Sequence, residues 1–441
     1  MVWMKDITEL FGEDKVLQDR ASIEKLSKDY YWYSPVLESK LRDKVAEAVV
    51  QPVTEEEVAQ VLSFAYKHRI PITTRGAGTG NYGQAVPLQG GIVLDLSGMN
   101  RIIELRDGLA RVQCGVKLGV LERTARERGQ ELRIYPSTYV KATVGGFISG
   151  GSGGIGSITW GNLWDGNVLE AVIYTMEEEP QRLVVTGEEL FNYIHSYGTT
   201  GIVTELLIPL APRNEWRQSI ISFDRPHFED SLLFADALAR HDGIGKRLIA
   251  PMEWPIPSFF TPLSKCLETD AHAVLIETNE ADLDTLHQLA ALYGGRMTHT
   301  IPPENYRKGV GLSDFTWNHT TLWGLKADPA ITYIQAGFSP ERFMEQKRLI
   351  KAKFGDEVLL HFEWMRGGGR VVPGSIPLIR YTNEERLYEI IHYFESIGVS
   401  VSDPHIWSLK AGAGARPSMQ QQKLVNDPLG LLNPGKIEMD L

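Results

Sequence analysis

The run TRGAGTGNYG at residues 74–83 holds the first residues whose types and spacing could do chemistry. Successive glycine N–H groups can form a concave nest for phosphate oxygens. Arg75 offers a positive charge, and Thr79 and Asn81 offer hydrogen bonds. A second glycine-rich run covers residues 144–167. Such a stretch loses much chain entropy on folding and brings little side chain to pack, which is tolerated where a backbone must pass very close to something. Gly78-x-Gly80-x-x-Gly83 and Gly151-x-Gly153-x-x-Gly156 both fit the form of the dinucleotide-binding fingerprint. That fingerprint must follow a strand and open a helix. Pro87 blocks a helix after the first, and SITWGNLWDGN after the second carries no helical pattern, so a Rossmann reading fails on context. Each loop alone could be a flexible turn. Two long loops flanked by strands in one domain instead make a cradle for a ligand with two phosphates.

The elements that must position these loops are mixed α/β. Residues 54–68 read as a helix, with Thr54 and Glu57 as a capping box and Val58, Val61, Leu62 and Ala65 as its apolar face. Strands are expected at 70–73, 91–96, 110–114, 168–174 and 202–208, and a further helix at 118–128. Pro209 and Pro212 then mark a boundary. Between 213 and 395, helices near 227–240, 281–293, 340–352 and 383–396 alternate with strand-like runs at 218–223, 271–278, 331–338, 358–364 and 378–381. That alternation implies helices packed on a sheet. The segment from 396, ending in DPLGLLNPGKI, is rich in Gly and Pro and too poor in apolar residues to fold alone. It must pack on another domain.

Composition narrows the field. At 441 residues the chain is too long for one ordinary core, and 43% hydrophobic with 23% charged residues is a globular profile. Net charge is −11, with 45 basic and 56 acidic residues, so nucleic acid is not an expected partner. Cys114 and Cys266 form neither a metal-ligand spacing nor a disulfide framework. The N-terminus MVWMKDITELFGEDKVLQDR lacks the apolar core of a signal peptide, and no run approaches the roughly 20 apolar residues of a membrane span. The expectation is a cytoplasmic protein.

Four ordered signatures resemble the FAD-binding oxidoreductases of the vanillyl-alcohol oxidase type, with a PCMH-type FAD-binding domain. The first is Arg75, Gly76, Ala77, Gly78, Thr79, Gly80 and Asn81, which in that family wraps the FAD pyrophosphate. The second is Pro136-Ser137-Thr138, then Thr143-Val144-Gly145-Gly146, then Ser149, Gly150, Gly153 and Gly156, continuing to Gly161. The third is Gly198 to Thr204, where Ile202 and Val203 are implied to approach the flavin. The fourth is Asn433-Pro434-Gly435-Lys436, which implies that the tail returns to the FAD domain. Some relatives link flavin covalently through a His in the first loop or a Cys before the second. Thr79 and Tyr135-Pro136 stand at those places, so non-covalent FAD is implied. HFEWMRGGGR at 361–370 does not match the family's His-rich metal motif, so no metal is expected. The resemblance implies an α+β fold: a two-subdomain FAD-binding domain at 1–212, an α/β cap with helices on a mainly antiparallel sheet at 213–395, and a returning segment at 396–441.

A flavin would carry the redox step, and the protein would place a small organic substrate and manage the proton. Residues 359–365 alternate, with His361 and Glu363 on the face opposite Leu360, Phe362 and Trp364. That polar face could look onto the flavin or onto solvent. His405, where the chain re-enters the FAD domain, could serve as a base. Arg370 and Arg380 could hold a carboxylate. The aromatic-rich segment WNHTTLW at 317–323 could pack or could line a pocket. The leading reading is an FAD-dependent oxidase or dehydrogenase of an alcohol, hydroxy acid or polyol, passing electrons to oxygen or a redox partner. The others are a nicotinamide-dependent reductase of the same fold and a flavin-binding interaction subunit without activity.

Overall fold

The computed structural model describes residues 2–306, 308–410 and 416–439. Strands Ala48–Val50, Ile92–Asp95 and Ile72–Arg75 run parallel, with Val16–Leu17 antiparallel on the outer edge of Ala48–Val50. Parallel strands need crossovers, and the helix Glu55–His68 supplies the one from Ala48–Val50 to Ile72–Arg75, on the two sides of Ile92–Asp95. Its start is written in the sequence. Thr54 accepts the Glu57 N–H at 3.2 Å, while the Glu57 carboxylate reaches back to the Val53 N–H at 2.8 Å. The returning arm of the capping box thus lands one residue before the cap. Glu55, Glu56 and Glu57 in the first turn and Lys67 and His68 in the last complement the helix dipole. Val58, Val61, Leu62 and Ala65 are fully buried on the sheet.

The chain then builds a six-stranded antiparallel sheet. Its order is Ile102–Arg106, Leu109–Gln113, Ile202–Pro212, Glu170–Tyr174, Arg182–Thr186, with Gln130–Leu132 also paired to Ile202–Pro212. The glycine-rich stretch leaves this sheet and is not all loop. Val144–Gly150 is a helix, and Ser157–Trp160 is a single helical turn where the sequence shows no helical pattern. Thr143 caps the first of these by accepting the Gly146 N–H at 3.1 Å, and burial of Val144, Phe147 and Ile148 adds what the poor helix propensity of glycine lacks.

Beyond residue 213 the strands are antiparallel and carry helices. Lys246–Met252, Ala271–Asn279, Trp216–Asp224 and Arg296–Ile301 form one sheet. Residues 331–338 and 358–364, each read as one strand, are each broken in two. Ile331–Tyr333 and Val358–Leu359 lie in a three-stranded sheet with Leu378–Arg380, whereas Gln335–Gly337 and Phe362–Gly367 lie in the next sheet with Arg370–Ser375 and Ser400–Ser402. Both breaks fall where the chain passes from one sheet to the other, a change that uniform apolar runs do not reveal. No helix among the described residues is long and apolar enough to cross a membrane.

The tail contains the helix Pro417–Asn426 and then folds against the first part of the chain. The Ile72 N–H donates to the Leu431 carbonyl at 2.8 Å, and the Asn433 N–H donates to the Ile72 carbonyl at 2.6 Å. Asn433 takes a left-handed conformation (φ 41°), which Asn accepts more readily than most residues. Its side-chain amide donates to the carbonyls of Gln84 at 3.0 Å and Tyr197 at 2.6 Å. The buried Lys436 ammonium donates to the Gly83 carbonyl. Asn433→Ala leaves two backbone carbonyls without this donor, so we expect about 2 kcal/mol of destabilisation. The urea midpoint of the purified variant against the wild type checks this.

Candidate functional site

The two glycine loops meet. A Cβ on Gly76 would lie 2.2 Å from the Thr143 hydroxyl, so only glycine lets the first loop press against the cap of the Val144–Gly150 helix. The Gln84 amide, just after the first loop, donates to the Gly150 carbonyl at 2.7 Å. The joined loops line one cavity of about 420 Å³, within the size range of small-ligand and cofactor sites.

Residues 75–81, Pro136, Ser137, Thr138, Thr143, Gly145, Gly146, Ser149, Gly150, Gly153 and Val203 all line this cavity. Gly156, Gly161 and Ile202 do not. Gly156 has φ 98°, and a Cβ there would fall 1.9 Å from the Arg133 carbonyl, so its glycine is a matter of backbone packing. Gly161, with φ 74°, crowds Asp165 in the same way. Ile202 turns into the core, 1% exposed. Arg75 lines the cavity, but its guanidinium folds back. It donates to the carbonyls of Leu26 and Lys28 at 2.8 Å each and of Ala77 at 3.4 Å. It therefore ties the N-terminal segment to the loop, where the sequence suggested a charge for phosphate.

The four residues expected to do catalysis lie off the cavity. Arg370 has a 72% exposed side chain and pairs with Glu341 at 2.8 Å on the surface. His405 is buried between the Ser34 hydroxyl at 2.7 Å and the Tyr333 carbonyl at 2.8 Å, and burial lowers its pKa. It is a packing histidine that joins distant segments. His361 and Glu363 are neither solvent-facing nor in the cavity. Both are buried, with His361 Nε2 2.8 Å from Glu363 Oε1, and burial raises the pKa of Glu363. The same Oε1 accepts the Trp317 N–H at 2.7 Å. Arg380, the other arginine considered, pairs with Asp328 at 3.0 Å.

The Glu363–Trp317 contact leads to the 317–323 segment, which the sequence left open between packing and pocket lining, and to residues the sequence did not single out. Trp317, Asn318, His319 and Leu322 line the cavity from the part of the chain beyond residue 213, together with Gln335. Trp317 has φ 53° and ψ −139°, a costly conformation for a large side chain, just before the helix Asn318–Ala327. Tyr82 spans the gap: its hydroxyl meets Gln335, and burial pushes its pKa up to about 12. His195 and Tyr197 also line the cavity, both at positive φ. His195 Nδ1 lies 2.9 Å from the Gly151 carbonyl, and burial lowers the pKa of this histidine. Proximity to Gly83 and Gly198 was the available sequence signal for Tyr82, His195 and Tyr197. Nothing local marks Gln335.

Residues 46–181 match the family described as FAD binding domain. The chain carries this FAD-binding domain, and FAD is the cofactor that the domain accommodates. An uncharacterized FAD-linked oxidoreductase of Mycobacterium tuberculosis is 34% identical over 181 residues, 39% of this chain and 39% of that protein. Glycolate oxidase subunit GlcD of Bacillus subtilis is 31% identical over 189 residues, 40% of this chain and 39% of the subunit. A D-lactate dehydrogenase of Anaerostipes hadrus is 32% identical over 191 residues, 41% and 39% of the two chains. These matches span about two fifths of the relatives' length. The fold extends further: alkyldihydroxyacetonephosphate synthase superposes with a TM-score of 0.74 over 99% of this chain and 84% of its own, at 14% identity.

The cradle fits such a cofactor. Gly146 is exposed, and a Cβ there would meet only the Thr143 hydroxyl at 2.9 Å and otherwise open space. A larger side chain would therefore fill the cradle without striking the core. Gly146→Val should lower bound FAD per protein at least tenfold, a loss of roughly 1.4 kcal/mol or more in binding. The thermal midpoint of the apoprotein should change by only a few degrees. Absorbance at the flavin and protein bands after gel filtration, with a melting curve, checks both.

Proposed function

We propose that this chain is an FAD-dependent oxidoreductase that oxidises a hydroxyl-bearing carbon of a small organic substrate, such as an alcohol, hydroxy acid or polyol. The observation that carries this reading is the single cavity lined jointly by both glycine loops and by the Trp317–His319 turn. Bound FAD supplies the hydride acceptor. The loop backbones at 76–81 and 145–150, with the Thr79, Ser137 and Ser149 hydroxyls, hold the pyrophosphate and orient the cofactor. Gln84 and Asn433 keep those backbones in place. The wall at Trp317, Asn318, His319 and Gln335 receives the substrate. The glycolate and D-lactate named for two relatives are members of the same hydroxyl-bearing class.

FAD is held without a covalent bond, because the first loop offers Thr79 where linked relatives carry histidine. The purified protein should be yellow, and acid precipitation should leave all flavin in the supernatant. Flavin retained on the pellet would contradict this. Anaerobic mixing with a panel of alcohols, polyols and 2-hydroxy acids should bleach the flavin with at least one member. A flavin that dithionite reduces but no panel member reduces would refute the proposed activity.

A further inference from the structure

Three consecutive residues on the cavity wall each carry a buried polar atom without a hydrogen-bonding partner: Trp317 Nε1, Asn318 Oδ1 and His319 Nδ1. Buried polar groups are nearly always paired, so three orphans in one turn require an explanation. The turn is also strained, since Trp317 sits at φ 53°. The structure around it holds that strain. Glu363 accepts the Trp317 N–H at 2.7 Å, and His361 lies against the same carboxylate oxygen at 2.8 Å. Thr320 closes the turn from the other side, donating to the Phe315 carbonyl at 2.6 Å and lying 3.5 Å from His361 Nε2. A buried carboxylate–imidazole pair is thus used to hold one costly backbone conformation. What that conformation presents to the cavity is Trp317, Asn318 and His319.

Among the described groups lining the cavity, one histidine and two carboxylates besides His319 are engaged elsewhere. His195 Nδ1 is at the Gly151 carbonyl, and its Nε2 faces the Tyr197 hydroxyl at 3.4 Å. Asp29 accepts the Tyr31 N–H at 3.0 Å and the Ala85 N–H at 3.2 Å. Asp314 accepts the Gly311 N–H at 2.9 Å. The geometry points to His319 as the residue that takes the proton from the substrate hydroxyl, with Glu363 and His361 as positioning residues acting through the Trp317 N–H. This rests on the flavin-dependent oxidation proposed above. In the step, the substrate C–H bond breaks and its electron pair leaves as hydride to the oxidised flavin. The O–H bond breaks and its proton goes to the His319 imidazole. The C=O bond forms.

The surroundings suit a proton acceptor. Burial lowers the pKa of His319, and Lys326 on its own helix and Lys141 from the loop before Thr143 act in the same direction. The Asp314 carboxylate and carbonyl oppose them. The balance favours the neutral imidazole, which gains its proton at lower pH than an ordinary histidine. Oxidation should slow as pH falls through that lowered value.

The test uses FAD-loaded wild type, His319→Gln and Glu363→Gln, each first shown to bind FAD in the wild-type ratio. The first readout needs no substrate. The resting flavin spectrum of the wild type should shift with pH below 6.5, the reference value for histidine, as a charge appears beside the ring. The shift should vanish in His319→Gln and move along the pH axis in Glu363→Gln. A purely structural Glu363 would leave its position unchanged. The second readout is anaerobic flavin reduction by whichever panel member bleaches the wild type. His319→Gln should slow it on the order of 10²–10³-fold and lose the acid limb of the pH profile. A shift that persists in His319→Gln, or reduction at the wild-type rate, overturns the assignment. Bound flavin that no hydroxy compound bleaches overturns the proposed oxidation instead, and the pH titration of the spectrum still decides the place of His319.

Discussion

The site depends on two glycine-rich segments, about seventy residues apart in the chain, being held as one surface. The Gln84 amide does this by donating to the Gly150 carbonyl at 2.7 Å. Gln84 is itself fixed, since its own carbonyl accepts from Asn433 in the tail at 3.0 Å. A glycine loop is entropically expensive to order, and its backbone has no side chains of its own to anchor it. The order must come from groups outside the loop. Gln84 just after the first loop, Asn433 and Lys436 in the tail, and the N-terminal carbonyls that hold the folded-back Arg75 guanidinium supply it. The tail is poor in apolar residues because its contribution to the fold is polar: it completes hydrogen bonds that the loops leave open.

The junction between the parts before and beyond residue 213 is held by a different kind of contact. Where the part beyond residue 213 meets the first part, Arg247 is buried against Glu277 at 2.7 Å and stacks over Trp216 at 4.6 Å and Tyr135 at 5.5 Å. The Gly156 N–H donates to the Arg247 carbonyl at 2.8 Å, so the end of the second glycine run rests on the neighbouring sheet. A buried charge is tolerated only when paired and hydrogen-bonded, which makes this junction specific in position. The same economy governs the His361–Glu363 pair, whose charge and hydrogen bonds are directed at one backbone N–H behind the cavity.

Sequence patterns were informative where the physics is local. Capping residues, apolar periodicity and turn residues placed the Glu55–His68 helix and the helices Phe228–Arg240, Leu283–Leu292, Phe343–Phe354 and Glu384–Ser396 within a few residues. The loops lining the cavity were legible for a related reason. A backbone that must approach a ligand or a neighbouring group closely is written in glycine, as Gly76 against the Thr143 hydroxyl shows. The same rule misleads at Gly156 and Gly161, because a glycine required by the neighbouring Arg133 carbonyl or by Asp165 looks identical in sequence to one required by a ligand.

The sequence by itself determined several of the strands, the five helices just named, the two-loop cradle and the FAD-binding character of residues 46–181, since each depends on contacts or conformations set within a short span of chain. Only the tertiary structure decided what the isolated polar residues do. His405 became a packing group because Ser34 and Tyr333 close on it from distant segments. Arg370 became a surface residue paired with Glu341. His361 and Glu363 alternate as a strand requires, yet both faces of that strand are covered, so the pair stands behind the cavity and His319 stands in it. A histidine, glutamate or arginine carries the same chemistry wherever it lies. Its role is fixed by burial and by partners hundreds of residues away, and no local pattern encodes either.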